Sequence, residues 1–140
     1  MNKLTIRVLC AACALIGLLK AETEAEVMVE NFLQTYLGPS SNAALVRVDD
    51  WELGGLEAIY RTVYYNAKVL KVLKGGFTVN ADIRFFKVFE GTPTTEELNE
   101  RLGKKYYIFP RTISSEFFVD VGEGWKHSAA LETAVTNAGY

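Results

Sequence analysis

The sequence predicts a mainly β protein with flanking helices, an α+β fold, on three observations. Two alternating runs within 59–89 flank Lys74-Gly75-Gly76 and read as one long hairpin, further strand-like runs lie before and after it, and helix-end signals bracket three amphipathic stretches.

The first residues read as an address rather than as structure. Lys3 and Arg7 make a basic start, 8–19 is uncharged and almost wholly apolar, and Ala21 or Ala25 offers a small residue for cleavage. A run of 12 residues is shorter than the about 20 needed to span a bilayer, so 1–21 is expected to be an export signal and 22–140 one globular domain. Export implies a secreted or periplasmic protein whose mature chain has no transmembrane span. Cys10 and Cys13 both fall in the signal, so the mature chain has no cysteine and its stability must come from a core. It carries 12 basic against 17 acidic side chains, a formal charge of -5, which disfavours general binding to nucleic acid or to an anionic membrane.

Residues 25–37 follow the i, i+3, i+4 spacing of an amphipathic helix through Met28, Phe32 and Tyr36 with Val29, Leu33 and Leu37, and Gly38-Pro39 ends it. A strand is expected over 44–53, then a turn or bend at Gly54-Gly55. In the hairpin, Ile59, Val63, Tyr65, Ala67, Val69 and Leu73 alternate with Tyr60, Thr62, Tyr64, Asn66 and Lys68, with Arg61 and Lys71 as exceptions. In its second arm, Phe77, Val79, Ala81, Ile83, Phe85 and Phe89 alternate with Thr78, Asn80, Asp82 and Arg84. A two-residue Gly75-Gly76 loop would set Ala67 opposite Arg84 and mix the faces, because a one-residue slip reverses every side chain. A three-residue loop, Lys74-Gly75-Gly76, keeps both faces uniform. It pairs Leu73 with Phe77, Val69 with Ala81, Ala67 with Ile83 and Tyr65 with Phe85 on the core side. On the other side it pairs Lys68 with Asp82, Asn66 with Arg84 and Tyr64 with Phe86.

After Phe89, Thr94-Thr95-Glu96-Glu97 has the spacing of a capping box, opening a helix over 95–102 that presents Leu98 and Leu102 and closes at Gly103. Strands are expected over 105–109 and 116–121, separated by 110–115. Ser128 is placed to cap a last helix with Leu131, Ala134, Val135 and Ala138 as its apolar stripe.

Five strands with a helix between strands 3 and 4 is the element order of a five-stranded OB-like antiparallel barrel. Two stretches sharpen this: 65–75, with the run Val69-Leu70-Lys71-Val72-Leu73-Lys74-Gly75, and 102–109, with Leu102-Gly103-Lys104-Lys105-Tyr106-Tyr107-Ile108. They resemble the V-x-K-V-x-K-G and L-G-K-x-Y-x-I strands of netrin-type modules, and the similarity covers roughly 45–121. The resemblance implies a secreted OB-like barrel with flanking helices, as in the tissue inhibitors of metalloproteinases. The chain departs from that family in lacking its cysteines, including the N-terminal one that those inhibitors place on the catalytic zinc, so no inhibitory mechanism is carried over. The alternative architecture is cystatin-like, a helix packed across a curved antiparallel sheet.

The search for chemistry is short. His127 is the only histidine and has no cysteine or second histidine to share a metal with, so neither a metal nor a cofactor is expected. Ser114, Ser115 and Ser128 read as turn and cap serines, and Asp49, Asp50 and Glu52 lack calcium-loop spacing. What remains is a face: Tyr60, Tyr64, Asn66, Arg84 and Phe86 project from the non-core side of the hairpin, and aromatics beside an arginine are enriched in interface hot spots. The competing reading makes them ordinary cross-strand pairs, or covers them with a helix. The expected function is an exported, non-catalytic binding module for an extracellular or envelope protein or a small ligand. Its rivals are an enzyme or enzyme accessory domain, marked by a pocket gathering Arg61, Asp82, Arg84 and His127, and a structural envelope component pairing through strand edges.

Overall fold

The computed structural model describes residues 24–120 and 124–140, so the expected export signal at 1–21 lies outside the described residues. The first element, α1, is helical over 24–31 and continues as a π-helical turn, Phe32–Leu37. It is followed by β1 (Ala43–Glu57), β2 (Tyr60–Lys74), β3 (Asp82–Glu90), α2 (Thr95–Asn99) and β4 (Lys105–Ile108). Then come β5 (Arg111–Ile113), β6 (Glu116–Phe118), β7 (Gly124–Lys126) and α3 (Ala129–Asn137). The fold is mainly β with a few helices, an α+β arrangement around one sheet in the order β5-β6-β3-β2-β1-β4-β7. β1, β2 and β3 are consecutive antiparallel neighbours and β4 returns to lie antiparallel beside β1, which is Greek-key order. Only β3 with β6 is parallel. Register shifts in β1 bend the strand, and the sheet curls into a half-barrel.

The two faces of the sheet bury different clusters. Inside the curl, Val46, Val48, Val63, Tyr65, Ala67, Val69, Phe85 and Ile108 pack together. On the outer face, Ala43, Tyr107 and Phe109 pack with Phe32 and Leu37 of α1 and with Leu131 and Val135 of α3, flanked by Leu45, Leu73 and Trp125. Full burial of a side chain such as Phe32 contributes about 1.5–3 kcal/mol. Lys74 Nζ donates to the carbonyls of Leu37 and Gly38 at 2.6 and 2.7 Å, satisfying groups that the end of α1 would otherwise leave open.

The expected register holds through the middle of the hairpin, where Tyr64 faces Phe86, Tyr65 faces Phe85, Asn66 faces Arg84, Ala67 faces Ile83 and Lys68 faces Asp82. Thr94 and Glu97 form the capping box, and Ser128 caps α3. Other expectations are corrected. The hairpin loop is longer than three residues: Lys74 stays in β2, paired with Ala43, and β3 begins only at Asp82. The chain folds back at Thr78, whose carbonyl accepts from Ala81 N–H at 3.1 Å, with Asn80 at φ 66. Phe77 therefore packs on Phe117, ring centroids 5.3 Å apart, instead of facing Leu73, and Val79 is 50% exposed instead of buried. Gly54-Gly55 makes the bend, as a bulge inside a longer β1, while the turn falls at Ala58-Ile59, with Glu57 facing Tyr60 and Ile59 exposed instead of on the buried face. Among the described residues seven strands stand where five were expected, the additions being β5, within a stretch read as a separator, and β7 at Gly124–Lys126. Leu98 is buried, but Leu102 lies beyond the end of α2 and is exposed.

Candidate functional site

The outer face of the β2–β3 hairpin brings four of the five expected residues together. Tyr64 and Asn66 on β2 stand opposite Phe86 and Arg84 on β3. The Arg84 guanidinium lies 4.3 Å from the Tyr64 ring centroid and pairs with Glu52 at 3.2 Å. The Tyr64 and Phe86 rings are 6.0 Å apart, and Phe86 continues to Phe118 of β6 at 5.1 Å. Arg111 of β5 then lies 5.4 Å from the Phe118 ring. The result is a row of three aromatic rings with a guanidinium at each end, and its Arg84, Tyr64 and Phe86 part lines a groove of about 340 Å3 that extends to Ser115–Phe117. Tyr60 sits at the Ala58-Ile59 turn, 52% exposed and outside this row. Phe118 and Arg111 were not singled out in the sequence; parallel pairing of β6 with β3 brings them here.

Two local features hold the row open. A Cβ on Gly54 would stand 2.8 Å from Tyr64 Cε2 and 3.2 Å from Thr62 Cβ, so the bulge glycine gives the Tyr64 ring its place. The helices pack on the same outer face farther along, against Leu45, Leu73 and Tyr107, so among the described residues no helix covers the hairpin row.

Arg61, Asp82, Arg84 and His127 do not converge. Arg61 donates to the Gly54 carbonyl at 2.9 Å and to Thr92 at 3.1 Å, while His127 Nε2 lies 3.1 Å from Glu132 on α3. Among the described residues, no three histidine, cysteine or carboxylate side chains are placed to hold one metal ion.

A second concavity lies inside the curl, a cavity of about 280 Å3 whose walls include Tyr65, Phe85, Phe89 and Val119 and which also holds Lys87 and Arg101. Lys87 is on β3 between Phe85 and Phe89, at a core-facing position of the alternation. Burial pushes its ammonium pKa down to about 8, the positive Arg101 pushes in the same direction, and Asp120 partly opposes them. Its Nζ lies 6.0 Å from the Phe89 ring and makes no hydrogen bond or ion pair among the described residues. Arg101 Nη1 donates to the Tyr65 hydroxyl at 3.0 Å, with the guanidinium 5.7 and 5.2 Å from the Tyr65 and Phe89 rings. Burial raises the Tyr65 hydroxyl pKa against the pull of Arg101. Sequence reasoning missed this pair, although the signal is present: Lys87 occupies an inward position in an otherwise apolar alternation.

The chain matches no protein-family profile, and no curated protein matches it in sequence. Among the described residues, no helix is long and apolar enough to cross a membrane.

Proposed function

We propose that the protein is an exported, non-catalytic binding module built as an OB-like barrel, recognising an extracellular or envelope protein or a small ligand through the outer face of the β2–β3 hairpin. The OB-like reading is supported by the Greek-key order of β1–β4, by α2 between β3 and β4, and by β6 lying against β3, with β5 and β7 as short additions. The netrin-type resemblance falls on β2 and β4, the two strands that flank β1.

One observation carries the functional reading: among the described residues no helix packs on the row Arg84, Tyr64, Phe86, Phe118, Arg111, and its Arg84, Tyr64 and Phe86 end lines a groove. Aromatic rings lose little conformational entropy when a partner covers them, and guanidinium groups beside them supply directional donors. The outermost strands are three residues each, which favours recognition by the face over pairing at an edge.

The test immobilises the chain from residue 22, native and as the Tyr64→Ala, Phe86→Ala double variant, in extracellular or envelope extract. Far-UV circular dichroism checks that both fold. A partner retained by the native chain and lost by the folded variant supports the face; equal retention by both overturns it. The mass of the chain recovered outside the cytoplasm is expected to correspond to a start at Glu22 or Glu26, and a full-length chain confined to the cytoplasm overturns export.

A further inference from the structure

We propose that the cavity inside the curl is a binding site for a small organic carboxylate with an apolar body, its anionic end held between Lys87 and Arg101. Tyr65, Phe85, Phe89 and Val119 make most of the wall apolar, yet two cationic residues, Lys87 and Arg101, line it as well. The Lys87 ammonium is half-buried against apolar walls, and the hydration it loses there is a cost that a counter-charge would offset. Here no carboxylate forms an ion pair with Lys87 among the described residues, and Asp120 acts on it without a direct bond. An incoming anion would supply the missing partner.

Arg101 is set up for the same task. Its bond to the Tyr65 hydroxyl and its position over two rings fix the guanidinium, and one of its five N–H donors is used in that bond. The others can meet a carboxylate in bidentate fashion. Arg101, Phe89 and Tyr106 also line an adjoining cleft together with Lys104, Lys126, Glu97 and Glu100, so that cleft carries charge of both signs while the charged side chains of the inner cavity are both cationic.

Size and lining narrow the ligand. About 280 Å3 is at the small end of ligand cavities, room for one ring or a short chain and too little for a nucleotide or a polypeptide segment. Inorganic phosphate would use the cations and leave the aromatic walls without an apolar partner. Phe85 lines both concavities, but the polar groups of the two differ: Lys87 and Arg101 belong to the inner cavity, and Arg84 with Tyr64 to the outer groove.

The experiment titrates the full chain with benzoate, with benzamide as its uncharged isostere and with inorganic phosphate, following backbone amide shifts by NMR and heats by calorimetry. Saturable binding at millimolar benzoate is expected, with shifts centred on the amides of Tyr65, Lys87 and Arg101. Benzamide is expected to bind at least about tenfold more weakly, and Lys87→Met to weaken benzoate by a similar factor, the size of one lost charge-assisted bond. Val79→Ala, at an exposed position of the loop before β3 that lines neither concavity, is expected to leave benzoate affinity unchanged. Benzamide binding as tightly as benzoate, or no saturable shift at those amides, overturns the site. Phosphate binding as tightly as benzoate overturns the apolar part of the assignment. The benzoate and benzamide comparison uses the native chain, so the outcome does not depend on how any variant folds.

Discussion

Arg101 reaches across the interior of the curl to donate a hydrogen bond to the Tyr65 hydroxyl at 3.0 Å, tying the segment after α2 to the inner face of β2. A partly buried bond with one charged partner contributes about 1.5–3 kcal/mol. Tyr65→Phe removes the acceptor while keeping the ring under the guanidinium, and is expected to lower stability by about that amount in urea unfolding. A loss below about 0.5 kcal/mol would mean that water replaces the hydroxyl without penalty.

Lys87 gives stability a particular pH dependence. Its folded pKa of about 8 lies below the ordinary 10.5, so the unfolded chain holds this proton more tightly than the folded chain. Below pH 8 both states are protonated and the folded state bears the full penalty, up to about 3 kcal/mol; as pH rises from about 8 towards 10.5 the penalty is relieved. Lys87→Met is therefore expected to be more stable than the native chain at pH 7, with the gap narrowing by pH 9.5. Comparing urea midpoints of the two chains at both pH values isolates this group from the tyrosines. A gap that widens with pH would contradict the assignment.

Gly54 and Gly55 form a matched pair of tests. A Cβ on Gly54 meets the Tyr64 ring at 2.8 Å, whereas one on Gly55 meets nothing within 4 Å. Gly54→Ala is expected to displace the Tyr64 ring, costing about 1 kcal/mol and weakening any partner of the outer row. Gly55→Ala is expected to be neutral or slightly stabilising. Thermal melts of the two variants, and capture assays on the same samples, check both halves.

The turn between β5 and β6 is strained. Ser114 and Ser115 take φ 50 and 69, left-handed values that a primed hairpin turn requires and that Asn-Gly adopts more readily. Ser114→Asn with Ser115→Gly is expected to stabilise by about 1 kcal/mol, seen as a rise of a few degrees in Tm. An unchanged or lower Tm would mean that the serines are not the source of strain.

The parts of the fold legible in the sequence were those where two independent patterns had to agree. The register of β2 and β3 followed from requiring both faces to stay uniform, and it predicted that Tyr64, Asn66, Arg84 and Phe86 would share a face. The loop was misread because 77–81 continues the alternation without continuing the strand: Phe77 is anchored by Phe117, which lies far along the chain. Gly54-Gly55 carried a strong turn signal that close approach of the Tyr64 ring explains equally well, while the actual turn at Ala58-Ile59 contains no glycine. β5 and β7 are three residues each, too short to show a period. Lys87 was visible as a break in the apolar alternation, but nothing local shows that Arg101 comes to lie near it.

The parallel contact of β6 with β3 has a kinetic meaning. Phe85 pairs with Phe117 and Phe86 with Phe118, so this junction closes a far longer stretch of chain than the turns joining β1, β2 and β3. Loop-closure entropy delays such contacts, and the hairpins are expected to assemble first, with β6 docking after the rate-limiting step. Phe117→Ala should then accelerate unfolding while barely slowing refolding in a chevron measurement, and a comparable slowing of refolding would place β6 in the nucleus. Because Phe118 and Arg111 arrive with that late-docking piece, the outer row would be completed only in the final stage of folding, and a partner selecting for the whole row would distinguish finished molecules from nearly finished ones.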